Sequence, residues 1–233
     1  LITPIGSLLG STQLAQMRTL LDRADWVDGR SSAGAQALEV KRNRQLPADS
    51  PLAQQLGDLI LAALSRHPTF ISAALPLRIM PPLFNRYEAG ETYGLHVDNA
   101  LRFIQPTGPG QGAAIPVRTD LSATLFLTDP EDYDGGELEI ESSFGAQSIK
   151  LAAGDLILYP ASSQHRVTPV TRGSRSCAVF WLQSMVRDSS QREMLFDLDQ
   201  SVQSLGSELG QAHDDVMRLS GLYHNLIRQW AET

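Results

Sequence analysis

His96 and Asp98 stand two residues apart in the stretch YEAGETYGLHVDN (87–99). On an extended backbone that spacing turns both side chains to one face, where an imidazole and a carboxylate can share a cation. A second imidazole has to come from elsewhere. Of the other four histidines, His67, His213 and His224 fall in helix-prone contexts, and His165 alone opens a β-prone stretch. Singly, a histidine in a strand is most often a hydrogen-bonded structural residue, and a short H-x-D match is common. Together, His96, Asp98 and His165 form a face of two histidines and one carboxylate with coordination positions left open, the arrangement suited to non-haem Fe(II) oxygen chemistry.

Arg175, ten residues past His165, adds a second kind of chemistry. A 2-oxoglutarate molecule chelating Fe(II) through its 1-carboxylate and 2-keto oxygens leaves its 5-carboxylate pointing into protein. That anion is costly to bury unless a guanidinium meets it with paired, charge-assisted hydrogen bonds. Three arginines lie nearby, and period two chooses among them. Arg175, Cys177, Val179 and Trp181 alternate with Ser176, Ala178, Phe180 and Leu182, which puts Arg175 on one face of a largely apolar strand with no acidic partner close in sequence. Arg166 and Arg172 flank Pro169 in an expected loop and edge, where solvent or substrate contact is the better expectation.

These residues need a scaffold, and the patterning supplies one. Ser11 or Thr12 caps an expected helix with Leu14, Met17, Leu20 and Leu21 on one stripe, fading near Asp25. Asp49 or Ser50 before Pro51 starts a second, carrying Leu52, Leu56, Leu59, Ile60, Ala63 and Leu64 as far as Pro68. His67 is expected at its carboxyl end. Between the two helices, 26–45 reads as irregular or as short strands. From Leu75 the pattern becomes short apolar runs broken by Pro, Gly, Asn and Asp, the signature of a sandwich or barrel. Strands are expected near 76–80, 83–88, 93–98, 121–128, 136–141, 147–151, 155–159, 165–170 and 175–184. The glycine-rich connection from Ala100 to Thr119 is expected to be a long loop with a lid or binding role. After Arg187, stripes through Met194, Leu195, Leu198, Val202 and Leu205, and through Val216, Leu219, Leu222, Leu226 and Ile227, predict two helices that pack on the barrel or on another subunit.

Composition narrows the function classes. With 233 residues, 42% apolar and 19% charged, the chain supports a folded core with helical additions. A formal net charge of -7 argues against general affinity for nucleic acid or anionic lipid. The cluster Lys41, Arg42 and Arg44 reads as a solvated face. Cys177 is the only cysteine, so a disulfide within the chain is impossible and a reducing, cytoplasmic setting fits; the thiol itself reads as a small buried apolar group. No apolar run is long enough for a membrane span, and the opening LITPIGSLLG is a poor signal peptide.

The phrases FNRYEAGETYGLHVDNA, RTDLSATLFLTDPEDYDGGELEI, GDLILYPASSQHRVTPV and FWLQSMVRD, with a tail ending LSGLYHNLIRQW, resemble the iron- and 2-oxoglutarate-dependent hydroxylases of prolyl and lysyl hydroxylase type, most closely the bacterial PKHD-type subgroup. The glycine- and proline-rich insertion between Asn99 and Arg118 departs from that pattern. The resemblance covers nearly the whole chain. It implies a mainly β fold with flanking helices: a double-stranded β-helix, or jelly-roll, at 75–187, an N-terminal helical support region at 1–74 and a C-terminal helical extension at 188–233. By motif position it assigns His96, Asp98 and His165 to iron and Arg175 to 2-oxoglutarate, with Tyr87 as a further cosubstrate contact or an aromatic filling the barrel wall. It also implies L-ascorbate as reductant, succinate and CO2 as coproducts, and a peptide, amino-acid or siderophore-like substrate with a link to iron uptake. A homo-oligomer through the C-terminal helices is an accompanying expectation. Two other classes compete. One is a non-catalytic jelly-roll module binding a small anion or metal; the other is a cupin-like oxygenase, for which the needed histidines are missing.

Overall fold

Two antiparallel sheets enclose one cavity in the computed structural model, which describes residues 2–32, 38–105, 112–142 and 145–232. In chain order the elements that matter are β1 (Thr3–Ile5), α1 (Ser11–Asp22), β2 (Val27–Asp28), β3 (Lys41–Arg42), β4 (Arg44–Gln45), α2 (Pro51–Leu64), α3 (Pro68–Ala74), β5 (Pro76–Ile79), β6 (Leu83–Tyr87) and β7 (Thr92–His96). There follow β8 (Leu101–Ile104), β9 (Ile115–Arg118), β10 (Leu121–Phe126), β11 (Asp134–Gly135), β12 (Leu138–Ser142), β13 (Gly145–Ile149), β14 (Leu156–Pro160), β15 (His165–Val167), β16 (Val170–Arg172) and β17 (Arg175–Ser184). Two helices close the chain, α4 (Ser189–Leu209) and α5 (Asp214–Trp230). The major sheet runs β1-β14-β10-β17-β6-β4-β2, with β5 also on β17, and the minor sheet runs β13-β12-β15-β7-β3. This is the mainly β jelly-roll with flanking helices that the patterning and the resemblance imply.

The major sheet is buried on both faces, which explains its sequence. All of β10, LSATLF, is buried, so its alternation of Leu121, Ala123 and Leu125 with Ser122 and Thr124 separates two buried faces rather than core from solvent. Its outer face carries Leu121, Ala123 and Leu125, which join Phe84, Phe180 and Leu182 against Met17 and Leu21 of α1 and Leu56, Ile60 and Leu64 of α2. The inner face meets the minor sheet across Tyr87, Phe126, Leu138, Ile140, Tyr159 and Val167. Ile60 is fully buried between helix and sheet, so Ile60→Ala is expected to cost about 2–5 kcal/mol, read by urea unfolding.

Several expectations change at element ends. Ser50 does cap α2, its Oγ accepting from the Ala53 N–H at 3.1 Å, whereas α1 begins after Gly10 rather than after a serine or threonine cap. His67 does follow the carbonyl end of α2, its N–H donating to the Leu64 carbonyl at 3.2 Å, but that is half of its role. It caps the start of α3, where its Nδ1 accepts from the Phe70 N–H at 3.4 Å, because Pro68 opens a new helix instead of merely ending the old one. The stretch 165–170 is divided at Thr168 and Pro169 into β15 and β16. The expected open connection from Ala100 to Thr119 contains a hairpin of β8 and β9, with Leu101 opposite Arg118 and Ile104 opposite Ile115; residues 106–111, and with them much of the expected lid, lie outside the described residues.

The two C-terminal helices fold back on the barrel. Leu195 packs with Leu75 and Val186, and Tyr223, Leu226, Ile227 and Trp230 close over them. Met194 and Leu222 of the same stripes face outward. No helix among the described residues is long and apolar enough to cross a membrane.

Candidate active site

His96 ends β7 and His165 begins β15, and these two strands are neighbours in the minor sheet with His96 and His165 in register. Pairing alone therefore brings the imidazoles together, with ring centroids 4.2 Å apart. Asp98 lies two residues past the end of β7 and keeps the face that the spacing implies: Leu95 and Val97 are exposed, while His96 and Asp98 both line the cavity. Asp98 Oδ2 is held from the opposite sheet by Ser122 Oγ on β10 at 2.7 Å, which leaves it 3.6 Å from His165 Nε2. Ligand atoms of the three residues lie within 4.8 Å of one another, and they form a metal-capable group of histidine and carboxylate side chains among the described residues.

Both imidazoles are prepared to donate a lone pair. His96 Nδ1 lies 2.8 Å from the Gly94 carbonyl and His165 Nδ1 lies 3.0 Å from the Ser163 carbonyl. A carbonyl oxygen only accepts, so each Nδ1 carries the proton and each Nε2 is free toward the cavity. Burial, and then the neighbouring His165, push the His96 imidazole down to about 4, so it stays neutral well below neutral pH. Tyr93 stacks on it at 3.7 Å and fixes the ring plane. Two imidazoles with Nε2 turned to the cavity and one carboxylate are a donor set that fits a first-row divalent ion such as Fe(II).

Arg175 opens β17 opposite Tyr87 of β6 and is almost entirely buried, at 1% exposure. Its Nη1 donates to Cys177 Sγ at 2.9 Å, while Nε and Nη2 are buried with no hydrogen-bond partner. The guanidinium carbon lies 5.3 Å from the ring centres of both Tyr87 and Phe126. The period-two reading of this strand holds, since Arg175, Cys177, Val179 and Trp181 all line the cavity that also takes in His96, Asp98 and His165. A buried cation with two unbonded donors is costly to leave open, and an anion in the cavity can answer it with paired hydrogen bonds. Tyr87 lines the same cavity; burial pushes its phenol far up, so it acts only as a neutral donor or as wall. Gly136 holds a left-handed φ of 67° directly behind Arg175, where a Cβ would come within 3.0 Å of Arg175 Cδ.

The cavity, roughly 590 Å³ with part of it open to solvent, also contains residues that the sequence reading passed over. Lys41 was expected on a solvated face and is instead 5% exposed. The signal was present in alternation: Lys41, Asn43 and Gln45 are buried while Arg42 and Arg44 are exposed. It went unread because every inward residue is polar, and hydrophobic patterning cannot see such a strand. Lys41 Nζ donates to Gln45 Oε1 at 3.2 Å. Burial, and then Arg102, push its amine down from 10.5 to about 8, against weaker support from Asp28 and Asp98. The unfolded chain therefore binds more protons between pH 8 and 10.5, and stability from this group rises with pH across that window. Lys41→Met is expected to stabilise the metal-free protein by about 2 kcal/mol at pH 7, with the gap closing toward pH 10.5. Urea unfolding at both pH values checks it; a gap independent of pH would rule out the buried charge as its cause.

The other candidates lie outside this cavity. Arg166 pairs with Glu139 at 2.6 Å and Arg172 with Asp134 at 2.7 Å, both at the surface, so neither serves the anion site. His213 caps α5, its Nδ1 accepting from the Asp215 N–H, and His224 is exposed on that helix.

A jelly-roll whose cavity gathers two histidines, an aspartate and a buried arginine defines the class of 2-oxoglutarate-dependent iron oxygenases, and residues 82–183 match the 2OG-Fe(II) oxygenase superfamily. Residues 189–232 match the PKHD-type hydroxylase C-terminal domain. A PKHD-type hydroxylase of Burkholderia cenocepacia (strain HI2424) is 56% identical over 228 residues, 98% of each chain. One from Methylobacillus flagellatus (strain ATCC 51484 / DSM 6875 / VKM B-1610 / KT) is 53% identical over 233 residues, 100% of each. The fold is shared with a Trichoplax adhaerens prolyl hydroxylase solved with a hypoxia inducible factor oxygen degradation domain peptide, at 16% identity, a TM-score of 0.53 and coverage of 83% of this chain and 86% of that one. The chain belongs to the PKHD-type hydroxylases, enzymes of the 2OG-Fe(II) oxygenase superfamily that use iron and 2-oxoglutarate.

Proposed function

We propose that this protein hydroxylates a small-molecule or peptide substrate, with His96, Asp98 and His165 holding Fe(II) and Arg175 taking the distal carboxylate of 2-oxoglutarate. The observation that carries this reading is the buried guanidinium with two unbonded nitrogens facing the same cavity as the His–Asp–His group. Iron and cosubstrate, when bound, supply oxygen activation coupled to decarboxylation, with succinate and CO2 as coproducts and a hydroxyl placed on the substrate. The chain does the rest. The Gly94 and Ser163 carbonyls hold the imidazoles in the ligating tautomer, Ser122 aims the carboxylate, and Tyr87 and Phe126 keep water from the Arg175 pair. Tyr87, opposite Arg175 in register, is the second cosubstrate contact in this reading.

The proposal extends to the setting. The jelly-roll at 75–187 is the catalytic core, supported by 1–74 and extended by 188–233. L-Ascorbate keeps the iron reduced, and the single cysteine is consistent with cytoplasmic work. A siderophore-like substrate and a link to iron uptake rest on the family resemblance. Outward-facing Met194, Leu209, Met217 and Leu222 support a homo-oligomer through the C-terminal helices, for which sedimentation of the purified protein is the check. The central test is stoichiometric: protein given Fe(II), O2 and 2-oxoglutarate releases succinate. A chain that, loaded with Fe(II), bound neither 2-oxoglutarate nor its inert analogue N-oxalylglycine would sink the assignment. Mass spectrometry for the gain of one oxygen, with extract from a deletion strain as substrate pool, then identifies the target.

A further inference from the structure

Charge around the cavity does not balance once the cosubstrate is in place. Among the described residues the lining carries three cations, Lys41, Arg102 and Arg175, against a single carboxylate, Asp98. Fe(II) and the 2-oxoglutarate dianion cancel, and between them they engage Asp98 and Arg175. Arg102 is left over, and Lys41, hydrogen-bonded to Gln45, lines the same space.

Arg102 is held as a recognition group is held. Its guanidinium carbon stands 3.4 Å from the centre of the Trp181 ring, a stack that fixes the plane of the fork. Its Nε is buried with no hydrogen-bond partner, and so is Trp181 Nε1 beside it. Asp98 is its leading electrostatic neighbour, yet no carboxylate among the described residues comes within the 4.0 Å of an ion pair, and iron has first claim on Asp98. β8 places the side chain inward because Leu101 and Phe103, on either side of it, take the solvent face. An unbonded guanidinium edge in a partly dry cavity is costly to leave open, and a carboxylate answers it with two parallel hydrogen bonds.

We propose, resting on the Fe(II) and 2-oxoglutarate reading above, that the substrate is a carboxylic acid whose carboxylate is bound by Arg102, with Lys41 as the second cation of that subsite. Arg102 is then a specificity-determining residue of the hydroxylation, and neutral or cationic molecules are poor substrates.

The test uses full-length protein loaded with Mn(II) and saturating 2-oxoglutarate, so that Arg175 is occupied. Benzoate and its neutral counterpart benzamide are the probes, read by the saturable broadening that the Mn(II) centre imposes on their ring-proton signals. Wild type is expected to bind benzoate at least about tenfold more tightly than benzamide. Arg102→Gln is expected to erase that difference, and Arg102→Lys to keep part of it, while 2-oxoglutarate affinity stays within about twofold in both, which also reports an intact fold. Equal binding of the two probes by wild type would overturn the proposal, and so would benzoate preference surviving in Arg102→Gln. Loss of 2-oxoglutarate affinity in Arg102→Gln would place Arg102 in the cosubstrate site instead, and overturn it too. Failure of the wild type to bind 2-oxoglutarate is a different result: it removes the proposed function itself and this inference with it.

Discussion

Asp98→Ala is expected to lose the metal and, with it, all measurable succinate release. The carboxylate is the only anionic donor of the three, and without it only two imidazoles face a dication in a cavity that also holds Lys41 and Arg102. Hydrogen-bond partners behind metal ligands are worth 10–100-fold in affinity, so a loss well beyond about a hundredfold is expected when the ligand itself is removed. Ser122→Ala, which only frees the carboxylate from its 2.7 Å hydrogen bond, should fall inside that lesser range. Metal content after anaerobic loading and dialysis separates the two variants. If Asp98→Ala retained a full equivalent of iron, the proposed centre would be wrong.

Arg175→Ala should split binding from metal. Iron is retained, because the guanidinium touches none of the three ligands, while 2-oxoglutarate affinity falls by an amount worth about 2–5 kcal/mol, the usual cost of leaving one member of a buried charge pair alone. In the apo protein two effects oppose each other. Removing the cation relieves the desolvation of the unbonded Nε and Nη2 but loses the Cys177 hydrogen bond and the contacts with the Tyr87 and Phe126 rings. The variant is therefore expected to unfold close to the wild-type temperature without 2-oxoglutarate, and to show none of the wild-type stabilisation with it. Thermal unfolding with and without the cosubstrate reads both arms. An undiminished ligand-induced shift would remove Arg175 from the site, and neither Arg166 nor Arg172 stands ready to replace it, since each is committed to a surface carboxylate.

What was legible locally follows from what period and residue type encode. The face of β17 was readable because alternation survives when an arginine interrupts apolar neighbours, and His165 stood out because the other histidines lie in helical patterns. Motif resemblance then carried the jelly-roll and the family. The same tools fail where the inward face is polar. Lys41, Asn43 and Gln45 point inward from β3, β4 and the residue between them, yet they read as surface, because only pairing of β3 with β7 and of β4 with β6 puts them inside.

Asp98 makes the same point from the other side. The expectation of convergence was met by alternation, with Leu95 and Val97 outward and His96 and Asp98 inward, but the hydrogen bond from Ser122 on β10 that aims the carboxylate exists only across the two sheets. His67 serves two helix ends where one was expected, because Pro68 permits a new helix as readily as it ends an old one. The C-terminal stripes are amphipathic in either outcome, and only the apolar surface of Leu75 and Val186 decides which residues they cover. The sequence by itself thus determined which candidate side chains gather in the cavity and which fold family carries them. Tertiary structure decided which faces are dry, because burial is set by pairing between segments far apart in the chain, and the orphaned donors of Arg175 and Arg102 exist only once those faces have closed.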